Sequence, residues 1–160
     1  MIAVIGCGNT NRRDDGVGSA VLQHLAARGL AHTPGVVLLD AGTDGMAVMF
    51  AARGCRSLIV VDACRSGSEP GALFEVPGAE LDDPAPPSFS THDFRWDHAL
   101  HAGRRIFGDT FPQDVTVLLV EAADVGFGIG LTPVVAEAAI KATDRIEILV
   151  RERAQVQAVP

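Results

Sequence analysis

The stretch IAVIGCGNTNRRDDGVG, residues 2–18, decides the fold of this chain. Its opening run, IAVIG, is apolar and predicts a buried β-strand. The segment after the loop predicts a helix, because Val17, Val21 and Leu25 recur every four positions and mark one face. A strand that leads through a glycine-containing loop into a helix is typical of the first unit of an α/β fold.

The loop between this strand and this helix does not match a nucleotide-binding loop. The dinucleotide fingerprint G-x-G-x-x-G requires a third glycine where this chain has Asn11, and no G-K-[ST] of a P-loop follows. Asp14 and Asp15 stand where a phosphate would bind, and their charges would repel it. We therefore expect the loop to serve a cation, or another group that needs carboxylate ligands.

Strand-like apolar runs and segments of helical period alternate along the rest of the chain. The predicted strands are VVLLD at 36–40, SLIVVD at 57–62, ALFEV at 72–76 and VTVLLV at 115–120. The predicted helices lie near 45–53, at 91–107 and from 133 onward. This alternation predicts an α/β fold, a three-layer α/β/α sandwich with a mainly parallel five-stranded sheet. ALFEV alternates in polarity and fits a shorter strand of either direction.

Length and composition predict a single domain. The chain has 160 residues, of which 48% are hydrophobic, and this is enough to bury a core of ordinary size. We expect the domain to span residues 1–153 and residues 154–160 to form a frayed tail. The proline-rich and acidic segment 77–89 is expected to be an exposed loop.

Charge and apolar runs exclude several classes of partner. The net charge of −7 argues against nucleic acid or an anionic membrane as the main partner. The apolar runs are far shorter than the ~20 residues that a membrane-spanning helix needs, so we expect no membrane insertion. The three cysteines lack C-x-x-C spacing, which indicates reduced thiols and a cytoplasmic protein. Cys7 lies in a tight glycine turn and is expected to be a buried small residue, not a nucleophile.

Three of the predicted strands end in a carboxylate, namely Asp40, Asp62 and Glu121. Open α/β sheets bind ligands beyond the carboxyl ends of their strands, so we expect these residues and the Asp14–Asp15 pair to converge at one edge. Simpler roles compete: Asp14 fits a helix N-cap, and Asp40 fits a residue that closes a turn. Asp62 follows four apolar residues, where burial without a partner is costly, and this favours a functional role.

One histidine is placed to join these carboxylates. Ser90 and Asp93 have the spacing of a capping box, which predicts that His92 lies in the first turn of a helix. The helix dipole keeps an imidazole neutral at that position, and the neutral form binds metal ions. Two carboxylates and one imidazole suit nickel, zinc, iron or manganese, so the pattern favours metal-assisted hydrolysis.

Five motifs, in this order, resemble those of the hydrogenase maturation proteases. They are GCGNTNRRDDGVG at 6–18, LDAGTDGM at 39–46, IVVDA at 59–63, STHD at 90–93 and GIGLTP at 128–133. Enzymes of this family remove a C-terminal peptide from the large-subunit precursor of nickel–iron hydrogenases. The resemblance runs from residue 1 to about residue 149. It implies a similar sandwich with one antiparallel strand, for which ALFEV is the candidate.

By this resemblance, the catalytic and metal-binding residues are Asp15, Asp62 and His92, with Asp14 and Asp40 as candidates for supporting roles. The family commonly has Glu at the position of Asp15. The resemblance further implies that nickel is the metal and arrives already seated in the precursor. Two alternatives stay open: a zinc-dependent hydrolase of amides or peptides that carries its own metal, and a non-catalytic module that binds a metal or a precursor.

Overall fold

A computed structural model describes residues 1–81 and 95–156. Its strands are β1 (Ile2–Cys7), β2 (Val36–Gly42), β3 (Ser57–Cys64), β4 (Leu73–Pro77) and β5 (Asp114–Glu121). They form one five-stranded sheet in the order β2-β1-β3-β5-β4. The pairs β1–β2, β1–β3 and β3–β5 are parallel, and β4 runs antiparallel to β5. The predicted sheet is confirmed, including its antiparallel strand at ALFEV.

Helices cover both faces of the sheet. They are α1 (Val17–Ala27), α2 (Gly45–Ala52), α3 (Trp96–Phe107) and α4 (Pro133–Gln155). Helices α1 and α4 share one buried apolar cluster with the sheet, and α2 and α3 share another. The three-layer sandwich is therefore confirmed. Within the described ranges, no helix combines the length and the apolar character needed to cross a bilayer.

The apolar periodicity of the last helix correctly predicts which face is buried. Five residues at spacings of three and four are nine-tenths or more buried, namely Val135, Ala139, Ala142, Ile146 and Leu149. They pack in the same cluster as the apolar face of α1. Both helices bury one stripe against the strands, as helices of a layered α/β fold do.

Two glycines bring the first loop and α1 close to the sheet. A Cβ at Gly18 would collide with the backbone of Cys7, so only glycine lets α1 pass this near to β1. Gly18 thus does for this chain what the third glycine of a dinucleotide fingerprint does for helix packing. Gly8 has a φ of +123°, and a Cβ there would collide with the backbone carbonyl of Asp15. The absence of a side chain at Gly8 thus lets the turn that carries Asp15 lie against the end of β1.

The structure corrects three predicted segment boundaries. The helix predicted at 91–107 begins at Trp96, because Arg95 before it has an extended backbone. Helix α4 continues to Gln155, two residues into the predicted tail at 154–160. Residues 77–81 of the expected loop at 77–89 are not a loop, because Pro77 pairs with β5 and residues 78–81 form a 3-10 helix; residues 82–89 lie outside the described residues. Gly78 is buried in that helix, and a Cβ there would press against the Val115 side chain.

Candidate functional site

A cleft of about 240 Å³ lies beyond the carboxyl ends of β1 and β3. Asp15 and Asp62 both line it, together with Cys7, Arg95 and Trp96. Asp15 comes from the loop after β1, and Asp62 is near the end of β3. Because β1 and β3 are neighbours in the sheet, two carboxylates that are distant in sequence meet in one place.

Asp62 is a buried carboxylate with defined partners. Its side chain is only 7% exposed. The Ala63 backbone N–H donates to Oδ1 at 2.8 Å, and the indole Nε1–H of Trp96 donates to Oδ2 at 2.9 Å. Burial raises the pKa of this carboxyl from 3.8 to about 6, although the Ala63 amide, Arg95 and Trp96 act in the opposite direction. A carboxylate held at this cost, in a cleft, is a candidate for function.

Asp15 is the second carboxylate of the cleft. It lies in the 3-10 turn Arg13–Gly16, directly before α1, and is half-buried. The backbone N–H of Asn9 donates to its Oδ2 at 2.9 Å. Its negative charge is one of the causes that raise the pKa of Asp62, so the two carboxylates interact electrostatically. Two interacting carboxylates on one cleft favour the binding of a cation.

Asp14, the neighbour of Asp15, is fully buried and anchors a distant loop. Its carboxylate accepts from the backbone N–H groups of Ala123 and Asp124 at 2.9 Å each, and from that of Thr132 at 2.7 Å. The Thr132 hydroxyl donates as well. Burial alone would raise the pKa of Asp14, but these hydrogen bonds outweigh it and the pKa is lowered. The N-cap prediction for Asp14 is wrong, since Gly16 is the residue that precedes α1.

Asp40 closes a turn at the end of β2. It is exposed, and its Oδ1 accepts from the backbone N–H of Gly42 at 3.0 Å. Asp40 also lines an adjoining groove with Asn9 and Thr10. Of the two roles that the sequence left open, the structure shows the turn-closing one.

Glu121, the third carboxylate at a strand end, holds the chain after β3. It accepts from the backbone N–H groups of Ser66 and Gly67 at 3.0 Å each, and from the Ser66 hydroxyl at 2.8 Å. Hydrogen bonds from the Ser66 hydroxyl and amide are the largest influence on the pKa of Glu121, which is lowered to about 2. Its bonds are to this turn, so the predicted convergence of all the strand-end carboxylates on one site holds only in part.

The predicted third ligand, His92, and the capping box of Ser90 and Asp93 lie outside the described residues. Within residues 1–81 and 95–156, no three side chains of His, Cys, Asp or Glu are grouped so as to hold a metal ion. The role of His92 therefore stays a prediction.

Sequence reasoning missed two residues of the cleft, Arg95 and Trp96. Trp96 is buried at the start of α3 and bonds to Asp62. Arg95 precedes it, and one guanidinium nitrogen lies 3.7 Å from Asp62 Oδ2. One feature of the sequence could have indicated Trp96, because it is the single tryptophan of the chain and lies four residues after His92. A buried indole N–H needs an acceptor, and a nearby aspartate is a suitable one.

The thiols of Cys7, which lines the cleft, and of Cys64 are held in their neutral form. Burial raises the pKa of Cys7 far above its usual value, and burial with the carboxylate of Glu121 raises that of Cys64 to about 12. A neutral thiol is a poor nucleophile at physiological pH. We therefore expect neither thiol to be a nucleophile, and Cys7→Ala and Cys64→Ala to retain most activity. Complete loss of activity in a folded Cys64→Ala protein, verified by circular dichroism, would favour covalent catalysis instead.

The loop that Asp14 anchors carries exposed apolar side chains. Phe127 is 84% exposed and Ile129 is 78% exposed. The Arg12 guanidinium lies 5.0 Å from the centre of the Phe127 ring, and its Nε donates to the carbonyl of Val125 at 3.0 Å. Arg13 pairs with Asp124 at 3.3 Å. The Arg12–Arg13 pair is thus engaged in holding two loops together.

Solved structures of hydrogenase-maturing endopeptidases share this fold. The hydrogenase maturating endopeptidase HybD from Escherichia coli superposes with a TM-score of 0.80 at 27% identity, covering 95% of this chain and 93% of that one. The maturation protease HycI from Thermococcus kodakarensis, at 22% identity, has a TM-score of 0.74 over 94% of this chain and 92% of that one. Because the identity to HycI is only 22%, that similarity shows a shared fold and nothing more.

Curated sequences match a shorter part. The coenzyme F420 hydrogenase subunit delta of Methanothermobacter thermautotrophicus is 33% identical over 84 residues, which are 50% of this chain and 53% of that protein. A putative hydrogenase maturation protease of Methanocaldococcus jannaschii is 32% identical over 94 residues, 58% of this chain and 60% of that protein. The chain thus spans between half and two thirds of the length of these relatives.

The profile of one family covers most of the chain. It is described as HycI, hydrogenase maturation protease, and it matches residues 20–148. The match includes Asp62 and begins after Asp15. The chain belongs to the hydrogenase maturation protease family.

Proposed function

We propose that this protein is an endopeptidase that removes the C-terminal peptide from the large-subunit precursor of a nickel–iron hydrogenase after nickel insertion. One observation carries the proposal: in a chain with the fold of this family, Asp15 and Asp62 line the same cleft. With His92, they would supply two oxygen ligands and one nitrogen ligand to the nickel that the precursor carries. This donor set suits nickel.

In the proposed reaction, nickel is part of the substrate. Three protein ligands leave coordination positions for groups of the precursor. Ala63 and Trp96 hold the Asp62 carboxylate in place beforehand, so little ordering of this ligand is needed when the precursor binds. Nickel recognition would make cleavage follow metal insertion and not precede it.

The precursor is a protein, and the features of the chain suit such a partner. Phe127 and Ile129 expose apolar surface on a loop that Asp14 fixes to the turn of Asp15. The same turn carries Asp15, which lines the cleft. We place the reaction in the cytoplasm, where the three cysteines of the sequence would stay reduced.

The proposal predicts how the purified protein behaves toward metal and precursor. A site of three ligands without a thiolate binds a free ion less tightly than a closed four-ligand site. We expect the protein to be purified largely free of metal, and to cleave nickel-loaded precursor but not the nickel-free form. Elemental analysis, with mass spectrometry of both precursor forms after incubation with the same enzyme, measures this.

Three outcomes would contradict the proposal. Stoichiometric, tightly held zinc, or equal cleavage of the nickel-free precursor, would support a zinc-dependent hydrolase. Binding of the nickel-loaded precursor without cleavage would support a non-catalytic module.

A further inference from the structure

A positive charge already occupies part of the cleft. Arg95 lies directly before α3, and its Nη2 is 3.7 Å from Asp62 Oδ2. The Arg95 side chain is 63% exposed, whereas that of Asp62 is only 7% exposed. Arg95 lines the cleft together with Asp15 as well. The guanidinium therefore stands between solvent and the buried carboxylate.

The three groups around the Asp62 carboxylate differ in mobility. Ala63 donates from the backbone, and Trp96 donates from a side chain that is 8% exposed, so both are fixed. The Arg95 side chain is long and 63% exposed, and at 3.7 Å from Asp62 Oδ2 its guanidinium lies beyond hydrogen-bond distance. Arg95 is thus the one of these three that can leave without disturbing the packing.

A second cation at this place must compete with Arg95. Two positive charges a few ångströms apart repel each other strongly wherever water is partly excluded. A divalent ion that binds Asp62 therefore has to displace the guanidinium or accept this repulsion. A free aqueous ion must do so with the energy of its own coordination alone. Nickel seated in a protein brings the docking contacts of its carrier, which offset the cost.

We propose that Arg95 is a specificity residue, a resident counter-cation that keeps free divalent ions from the cleft and yields to nickel presented by the precursor. This inference rests on the proposed function. The competing explanation is that Arg95 merely stabilises the buried charge of Asp62. Under that explanation, loss of Arg95 would lower stability without improving metal binding.

Titration calorimetry of the full-length protein with nickel chloride, in a buffer that does not chelate nickel, tests the proposal. Removing the repulsion in Arg95→Gln is expected to tighten binding about tenfold relative to the wild type. Arg95→Lys keeps the positive charge and should bind nickel about as weakly as the wild type. In the Arg95→Gln/Asp62→Asn double variant the gain should disappear, because the ion would lose its buried ligand.

Arg105→Gln is the matched control. It removes one positive charge from the exposed last turn of α3, about 15 Å farther along the helix axis than Arg95. Its affinity for nickel should equal that of the wild type. A similar gain in Arg105→Gln would point to overall charge instead of the cleft and would overturn the proposal.

Other results separate the two proposals. If Arg95→Gln binds nickel no better than the wild type, or if the gain persists without the Asp62 carboxylate, the role assigned to Arg95 is wrong. Failure of the wild type to cleave nickel-loaded precursor would instead overturn the proposed function. The calorimetric result would still show whether Arg95 excludes free ions.

Discussion

Replacing Asp62 by Asn is expected to reduce cleavage of nickel-loaded precursor by at least ~100-fold. Loss of a residue that only contacts a metal ligand lowers metal affinity or activity by about 10- to 100-fold, and loss of a ligand itself should cost no less. The same change is expected to raise the melting temperature at neutral pH. Asn keeps the shape of the side chain but removes a buried charge and the proposed nickel ligand. Loss of activity together with a gain in stability distinguishes a functional carboxylate from a structural one.

The pH dependence of this gain follows from the raised pKa of Asp62. The folded-state pKa is about 6, against 3.8 for the ordinary group. The buried Asp62 charge therefore does not destabilise the wild-type protein below pH 3.8. Its destabilising effect increases between pH 3.8 and about pH 6 and is complete above that range. Its full size is up to ~3 kcal/mol. The donor that would face the Asn NH2, from Ala63 or Trp96, offsets at least about 1 kcal/mol of it. Melting curves between pH 4 and pH 8 should show the advantage of Asp62→Asn appearing only as the pH rises.

Two further variants complete this experiment. Asp40→Asn changes an exposed carboxylate on the parallel strand β2, which β1 separates from β3, and should alter neither melting temperature nor cleavage appreciably. His92→Ala should abolish cleavage if the histidine is the third ligand. Full activity in Asp62→Asn or in His92→Ala would remove that residue from the site.

Replacing Asp14 by Ala is expected to destabilise the protein strongly. The change leaves three backbone N–H groups, those of Ala123, Asp124 and Thr132, without their acceptor. A hydrogen bond to a charged group contributes about 1.5–3 kcal/mol, so we expect a total loss of about 3 kcal/mol or more. For a chain of this size, that lowers the melting temperature by about 10 °C. Thermal unfolding followed by circular dichroism measures it.

Asp15→Ala is the matched control for Asp14→Ala, one residue away. Asp15 is half-buried and accepts one backbone hydrogen bond, from Asn9. We expect little change in melting temperature and a large loss in recognition of the nickel-loaded precursor. Asp15→Glu should be tolerated, because glutamate keeps a carboxylate at this position. If instead Asp14→Ala melted like the wild type and Asp15→Ala did not, the roles of the two residues would be reversed.

The fold could be predicted because its signals are local. Apolar runs and helical periodicity are read within ten to twenty residues, and the alternation of the two leaves few arrangements open. The edge at which ligands bind follows from the same alternation. Asp62 could be singled out for the same reason, since an acid at the end of an apolar strand is anomalous by itself.

The remaining features of the site depend on partners far along the chain. The sequence near Asp14 allows a helix cap as one of its possible roles, yet its donors lie more than a hundred residues away. Glu121 has its donors at Ser66 and Gly67, which belong to a different loop. Arg95 was missed because an exposed arginine carries no sign of what it faces. Only the folded geometry distinguishes these cases.

The hydrogen bond from the Trp96 indole to Asp62 makes the tryptophan fluorescence of the protein sensitive to changes in the cleft. Trp96 is the single tryptophan in a sequence without tyrosine, so the tryptophan emission of the protein comes from one ring. That ring is 8% exposed, and its N–H donates to the Asp62 carboxylate. A change at that carboxylate alters the polarity around the indole, and a paramagnetic ion held nearby quenches its fluorescence. The protein therefore carries its own optical probe, with which the proposed binding of nickel at Asp62 can be followed without a label.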